Sequence, residues 1–250
     1  MGNVPGTATN RITVSNPAVL EPTTTTTATT PTTTPVVTAK GARDDSDPYR
    51  YGVYLRPDPR TCRAVTVVTD QLRAQYGLVS SGAFPPHATL VGSQPFGSAE
   101  SAVVDALTAL LDGRPGFPVH NAGVREQGIG FVYDVATNPD GSRNTAFDQL
   151  AIDVDAAVAP FRRPMNAPLP NDHDPERYRP HLSLASHDLY VRPDLHDEVG
   201  EFIRGLDVPV PSDFAGDTVV LYRTASPDWT GRWWQTMTWE HVRTWKLRTP

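Results

Sequence analysis

The sequence predicts an α+β protein with a duplicated, pseudo-symmetric, two-lobed fold. Each lobe is expected to be an antiparallel sheet with helices on its outer face, and a central cleft separates the two. Three observations carry that expectation. The order strand, helix, histidine strand, helix, strand occurs twice along the chain. The tetrapeptides His87-Ala88-Thr89-Leu90 and His181-Leu182-Ser183-Leu184 stand at matching places in the two halves, 94 residues apart. Every aromatic residue lies at or after Tyr49, which confines the folded part to the chain beyond that point.

Between Pro22 and Thr38, eleven of seventeen residues are threonine, interleaved with proline. So little apolar surface cannot offset the entropy of ordering a chain. Residues 1–47 are therefore expected to form a disordered Thr/Pro-rich tail, and residues 48–250 a two-lobed domain long enough to bury a substantial core.

Tyr51–Arg56 alternates and is rich in β-formers, which predicts the first strand. Val65, Val68, Leu72 and Tyr76 recur at helical spacing across Thr61–Tyr76, with Gly77 placed to cap the helix. His87–Gly92 reads as a short strand. Ser98–Asp112 carries Val103, Leu107, Leu110 and Leu111 on one helical face. Phe117–Arg125 and Ile129–Thr137 read as strands joined around Gln127-Gly128. The second half follows with a helix over Thr145–Phe161, a proline-rich loop over Pro164–Pro180, the His181 strand and a helix over Asp194–Leu206. Strands at Thr218–Thr224 and Trp233–Leu247 close the chain.

In a strand, alternate residues share a face. His87 and Thr89 thus point one way while Ala88 and Leu90 point the other, and His181-Leu182-Ser183-Leu184 repeats the arrangement. In-line attack on a phosphodiester needs a base for the nucleophile and an acid for the leaving oxygen. Imidazole suits both roles near neutrality. The hydroxyls of Thr89 and Ser183 are placed to hold the non-bridging oxygens and to stabilise charge as it builds.

Each histidine directly follows a proline, Pro86 or Pro180, and the second is led in by Tyr178-Arg179-Pro180. With these features the chain resembles the two-histidine (2H) phosphoesterases of the LigT-like group, whose hallmark is a pair of H-x-[TS]-hydrophobic motifs on duplicated lobes. The resemblance covers about Tyr51–Leu247. It implies catalytic roles for His87, Thr89, His181 and Ser183, and no metal or other cofactor. The implied substrate is a nucleotide or short RNA bearing a cyclic phosphate or a 2′-linked phosphodiester. Degradation of cyclic oligonucleotide signals, joining of RNA ends, and nucleotide binding without turnover are the alternatives the motifs leave open.

Substrate contacts are expected from Tyr178, Arg179, Tyr222 and Arg223, and from Trp229 in the turn between the last strands. Asp172-His173-Asp174 reads as a surface loop rather than a metal site, because no second ligand cluster stands at a recognised spacing. A net charge of −6 argues against duplex DNA as a partner. The single cysteine, Cys62, precludes an intrachain disulfide. No apolar run is long enough to span a membrane, so a cytoplasmic monomer is the expectation.

Overall fold

Residues 13–14, 47–163, 177–229 and 231–249 are described by the computed structural model. Apart from Thr13, Val14 and Asp47, the tail expected over 1–47 lies outside these residues. So do most of the proline-rich loop and Asp172-His173-Asp174.

The strands are β1 (Thr13–Val14), β2 (Tyr49–Leu55), β3 (Ala88–Gln94), β4 (Phe117–His120), β5 (Val124–Gln127), β6 (Gly130–Asp134), β7 (His181–Ala185), β8 (Asp213–Gly216), β9 (Thr218–Ala225) and β10 (Thr238–Lys246). The helices are α1 (Pro59–Tyr76), α2 (Glu100–Leu111), α3 (Thr145–Val158), α4 (Asp188–Val191), α5 (His196–Gly205) and α6 (Trp233–Thr236). One sheet has the order β1-β10-β9-β2-β3 and another the order β5-β6-β7. Every strand pairing is antiparallel. The succession β2-α1-β3-α2-β4 recurs as β6-α3-β7-α5-β8, and the strands that end the two halves, β4 and β8, pair with each other.

Local chemistry sets the helix limits. Asp58 accepts the Thr61 amide at 2.7 Å and Pro59 opens α1, while Gly77 closes it at φ 71 with its N–H on the Arg73 carbonyl. Asn144 caps α3 through the Phe147 amide, and its own amide reaches the Pro118 carbonyl of β4. The alternation in β2 sends Tyr51, Val53 and Leu55 into the main core, where they meet Val65, Val68 and Leu72 of α1. Leu90, Leu182 and Leu184 enter the same core, each at most 3% exposed, and they anchor both histidine segments from behind.

Four expectations need correction. Phe117–Arg125 is two strands rather than one, because Asn121 accepts the Gly123 amide in a tight turn and Gly123 takes φ 94. The helix from Thr145 stops at Val158, and Pro160, with no N–H to give, tightens the last turn to a 3₁₀ geometry. The helix expected from Asp194 begins at His196, after α4 and a 3₁₀ turn over Pro193–Leu195. Trp233–Thr236 is a helical turn, and the last strand starts only at Thr238.

Candidate active site

The edge strand β3 lies beside β7, so the two histidine segments meet. His87 sits one residue ahead of β3, and His181 opens β7. In both, the imidazole folds back on the carbonyl two residues earlier. Nδ1 of His87 lies 2.7 Å from the Pro85 oxygen, and Nδ1 of His181 lies 2.7 Å from the Arg179 oxygen. A carbonyl only accepts, so Nδ1 of His87 carries the proton and its Nε2 is left for chemistry, whereas Nδ1 of His181 stands between the Arg179 carbonyl and the amide nitrogen of Gln127. The proline between acceptor and histidine fixes the backbone of this turn. The same local device is thus built twice.

The two imidazoles differ in their surroundings. Tyr54 of β2 and Phe84 of the preceding loop pack on His87 with ring centroids at 4.5 and 4.8 Å. Tyr222 and Trp239 stand behind them. Tyr54 lies flat over Gly52, where a Cβ would stand 2.0 Å from its hydroxyl, so only glycine leaves room for this ring. Burial in this setting, opposed by the Pro85 carbonyl and helped by the charge of His181, pulls the pKa of His87 down to about 4. The two rings are therefore within electrostatic reach of each other.

His181 has polar company. It is the register partner of Asp134 in β6, and Asp134 is ion-paired to Arg125 of β5 at 2.9 Å. Arg125 also donates to Oε1 of Gln127 at 2.8 Å, which leaves the Gln127 Nε2 3.1 Å from the His181 Nδ1. Burial lowers the pKa of His181; the Arg179 carbonyl opposes this, Arg125 adds to it and Asp134 opposes it.

Thr89 and Ser183 are half-buried on the same faces as their histidines, each two residues further along. Two side chains tie the halves together at this point. The Tyr178 hydroxyl donates to the Thr89 carbonyl at 2.6 Å. The buried carboxylate of Asp188 accepts the amides of Val79 and Ser80 through Oδ2, at 2.7 and 2.6 Å, and the Trp234 indole through Oδ1 at 2.8 Å. The segment following the second motif thereby holds the loop that leads into the first.

Of the expected substrate contacts, Tyr222 is buried behind Tyr54 and Phe84. Tyr178 uses its hydroxyl on Thr89. Arg179 is exposed beside His181 and donates to the Tyr178 carbonyl. Arg223 points to the opposite face of β9 from Tyr222, where Glu100 and Glu240 hold it at 3.2 and 2.7 Å. Trp229 is only 5% exposed, with its indole on the Pro48 carbonyl and Arg50 over its ring. Arg223 is thus turned away from His87, while Trp229 packs in a cluster with Ala83 and Phe84. A cavity of about 220 Å³ opens beside the His87 loop and is lined by Thr69, Asp70, Phe84, Pro85, Pro86 and Trp239 among others.

Sequence reasoning missed Arg125, Gln127 and Asp134. The alternation ahead of the turn at Gln127-Gly128 places Arg125 and Gln127 on one face, but which face looks at His181 depends on the β6–β7 register. Among the described residues no group of three or more histidine, cysteine or acidic side chains is placed to hold a metal ion. No helix among them is long and apolar enough to cross a membrane.

No protein-family model matches the chain, and no curated protein matches it. Among solved structures it is similar to E. coli LigT complexed with 3′-AMP, at 15% identity and a TM-score of 0.44, covering 81% of this chain and 99% of that one. It is similar also to a protein described as a phosphoesterase, at 16% identity and a TM-score of 0.41, covering 81% and 99%. A third is Usb1 of Kluyveromyces marxianus, at 12% identity and a TM-score of 0.38, covering 80% and 97%.

Proposed function

We propose that this chain is a two-histidine phosphoesterase that hydrolyses a cyclic phosphate or a 2′-linked phosphodiester of a nucleotide or short RNA without a metal ion. The observation that carries the reading is the repeated histidine device. Two imidazoles from the two halves, each with Nδ1 2.7 Å from a backbone carbonyl two residues back, stand at the starts of strands that lie side by side. A hydroxyl two residues beyond each histidine completes the set.

In this reading one imidazole takes a proton from water as its oxygen attacks phosphorus. The other gives a proton to the departing ribose oxygen, and Thr89 and Ser183 hold the non-bridging oxygens. Arg125, paired with Asp134, adds positive charge on the His181 side. With a sugar hydroxyl in place of water the same pair would join ends, but water is abundant and the sequence has no phosphate-binding loop to couple an energy source.

The test is a panel of 2′,3′-cyclic nucleotides, 2′-5′ oligonucleotides and cyclic dinucleotides, assayed with EDTA present. Turnover should persist in EDTA and fall by about a thousandfold in folded His87→Ala and His181→Ala variants. Near wild-type turnover by either variant, or complete loss in EDTA, would contradict the reading.

A further inference from the structure

The face of the five-stranded sheet that carries Tyr54 continues onto β9 and β10, and the two-histidine reading gives the polar side chains there nothing to do. Arg56 stands two residues beyond Tyr54, so alternation puts it on the same face. Its backbone N–H donates to the Thr218 carbonyl at 2.9 Å, which keeps it alongside β9. Tyr222 of β9 is the register partner of Gly52, and His241 of β10 is that of Tyr222. A row of rings thus leads away from the site. Between centroids, Tyr54 lies 4.5 Å from His87, Tyr222 lies 5.9 Å from Tyr54, and His241 lies 5.9 Å from Tyr222.

The polar ends of this row are donors without acceptors. Arg56 is half-buried, and among the described residues no carboxylate or carbonyl holds its guanidinium. Tyr222 is 4% exposed, its hydroxyl bonds to no described residue, and that oxygen is not sealed from solvent. The small part of Tyr222 that reaches open space therefore includes its hydroxyl. His241 keeps Nε2 on the Thr244 hydroxyl at 2.7 Å, and its Nδ1 bonds to no described residue. The neighbouring acids are already engaged. Glu240 is turned to the other face on Arg223, Asp217 is held by Lys246, and Asp58 caps α1.

The cation is felt throughout the cluster. Burial lowers the pKa of His241, and Arg56 lowers it further. Burial raises the pKa of the Tyr222 phenol and of the Cys62 thiol of α1, and Arg56 opposes it in both.

Resting on the phosphoesterase reading, we propose that Arg56, the Tyr222 hydroxyl and His241 form a second anion subsite, which holds another phosphate of the substrate while the reacting one lies at the histidines. The guanidinium fork matches two phosphate oxygens at once, and the phenol and imidazole add single donors. β9 lies two strands from β3, about 10 Å away, so the two phosphates flank one sugar. The substrate is then the end of an oligonucleotide, or a nucleotide phosphorylated on both sides of its sugar, rather than a nucleoside cyclic phosphate alone.

Calorimetric titration of the full chain with adenosine 3′-phosphate and adenosine 3′,5′-bisphosphate reads the subsite without turnover. The bisphosphate should bind about tenfold more tightly, the scale of hydrogen bonds to a charged group. Arg56→Gln should abolish most of that advantage, and Arg56→Lys should keep part of it. Tyr222→Phe should cut it by about threefold. Equal affinity for the two ligands, or an advantage untouched by Arg56→Gln, would overturn the proposal.

Urea unfolding separates binding from scaffolding. Neither the Arg56 guanidinium nor the Tyr222 hydroxyl has a partner among the described residues, so Arg56→Gln and Tyr222→Phe should unfold at the wild-type urea concentration. A lowered midpoint in both would make the cluster structural and overturn the proposal.

Turnover names the source of the second phosphate. The substrates are a dinucleotide ending in a 2′,3′-cyclic phosphate, a 5′-phosphorylated nucleoside 2′,3′-cyclic phosphate and the plain nucleoside 2′,3′-cyclic phosphate. At least one of the first two should show a lower KM than the third. The lower of them identifies the bound group as an internal phosphodiester or a terminal monoester. The same KM for all three would overturn the proposal. Absence of turnover on every substrate, with the bisphosphate still preferred, would instead remove the hydrolytic reading and leave the subsite standing.

Discussion

The hydroxyl of Tyr178 reaches across the molecule to the backbone carbonyl of Thr89, 2.6 Å away, and so joins the approach to the second histidine to the strand of the first. Asp188 makes the reciprocal connection, from the far side of the second motif to the loop before the first. Each histidine segment is therefore braced by residues that flank the other, and the spacing between the two rings is set by these cross-links as well as by the sheets.

Tyr178→Phe should remove one brace while leaving the ring packed. The Thr89 carbonyl loses its buried donor, which should cost about 1–2 kcal/mol of stability. kcat/KM should fall by about tenfold, since small misplacements of catalytic groups are costly. Urea unfolding and steady-state kinetics check the two effects separately.

Asp188→Asn should be the more damaging change. The carboxylate accepts two amides and an indole, and an amide can replace only its carbonyl half. A loss of about 2–3 kcal/mol is expected. Hydrogen exchange at Val79 and Ser80 should rise, and an unchanged rate at both amides would show that the carboxylate does not hold the loop.

Thr89→Val and Ser183→Ala should leave the fold in place and lower kcat by about a hundredfold each, the scale of losing one donor to a charged transition state. KM should change much less. A variant that alters KM alone would assign its hydroxyl to ground-state binding.

Acid should destabilise the protein through His87. The folded state keeps this ring neutral down to about pH 4, whereas the unfolded chain protonates it near 6.5. Between those values the unfolded state binds the extra proton, so stability falls as pH drops through that window and gains nothing from this group above it. The loss from this ring is at most about 3 kcal/mol. A folded His87→Gln variant should lose correspondingly less between pH 7 and pH 4.5 in urea titrations.

Much of the site was legible in the sequence because its elements are local. A strand alternates, so His87 with Thr89 and His181 with Ser183 declare their shared faces, and Leu90 and Leu184 declare the core behind them. Gly77 and the helical spacing before it mark the end of α1 for the same reason. What stayed hidden depends on partners far away in the chain. Arg223 looks like a free cation until Glu100 and Glu240 are brought to it, and Trp229 looks exposed until Pro48 accepts its indole. Asp213–Gly216 offers one large apolar residue and reveals itself as β8 only when β4 lies alongside. Asp134 acquires meaning only from the strand register opposite His181.

The placement of β2 has a consequence for how the molecule is made. Residues 49–55 lie between β3 and β9, so the first strand of the domain is zipped to residues 219–225, synthesised only after both histidine motifs. Contacts of such long range are late to form. The nascent chain must therefore carry the His87 sheet open along one side until β9 is made, and a ribosome stalled before Thr218 would hold a protein with both histidine motifs already made and their sheet unfinished.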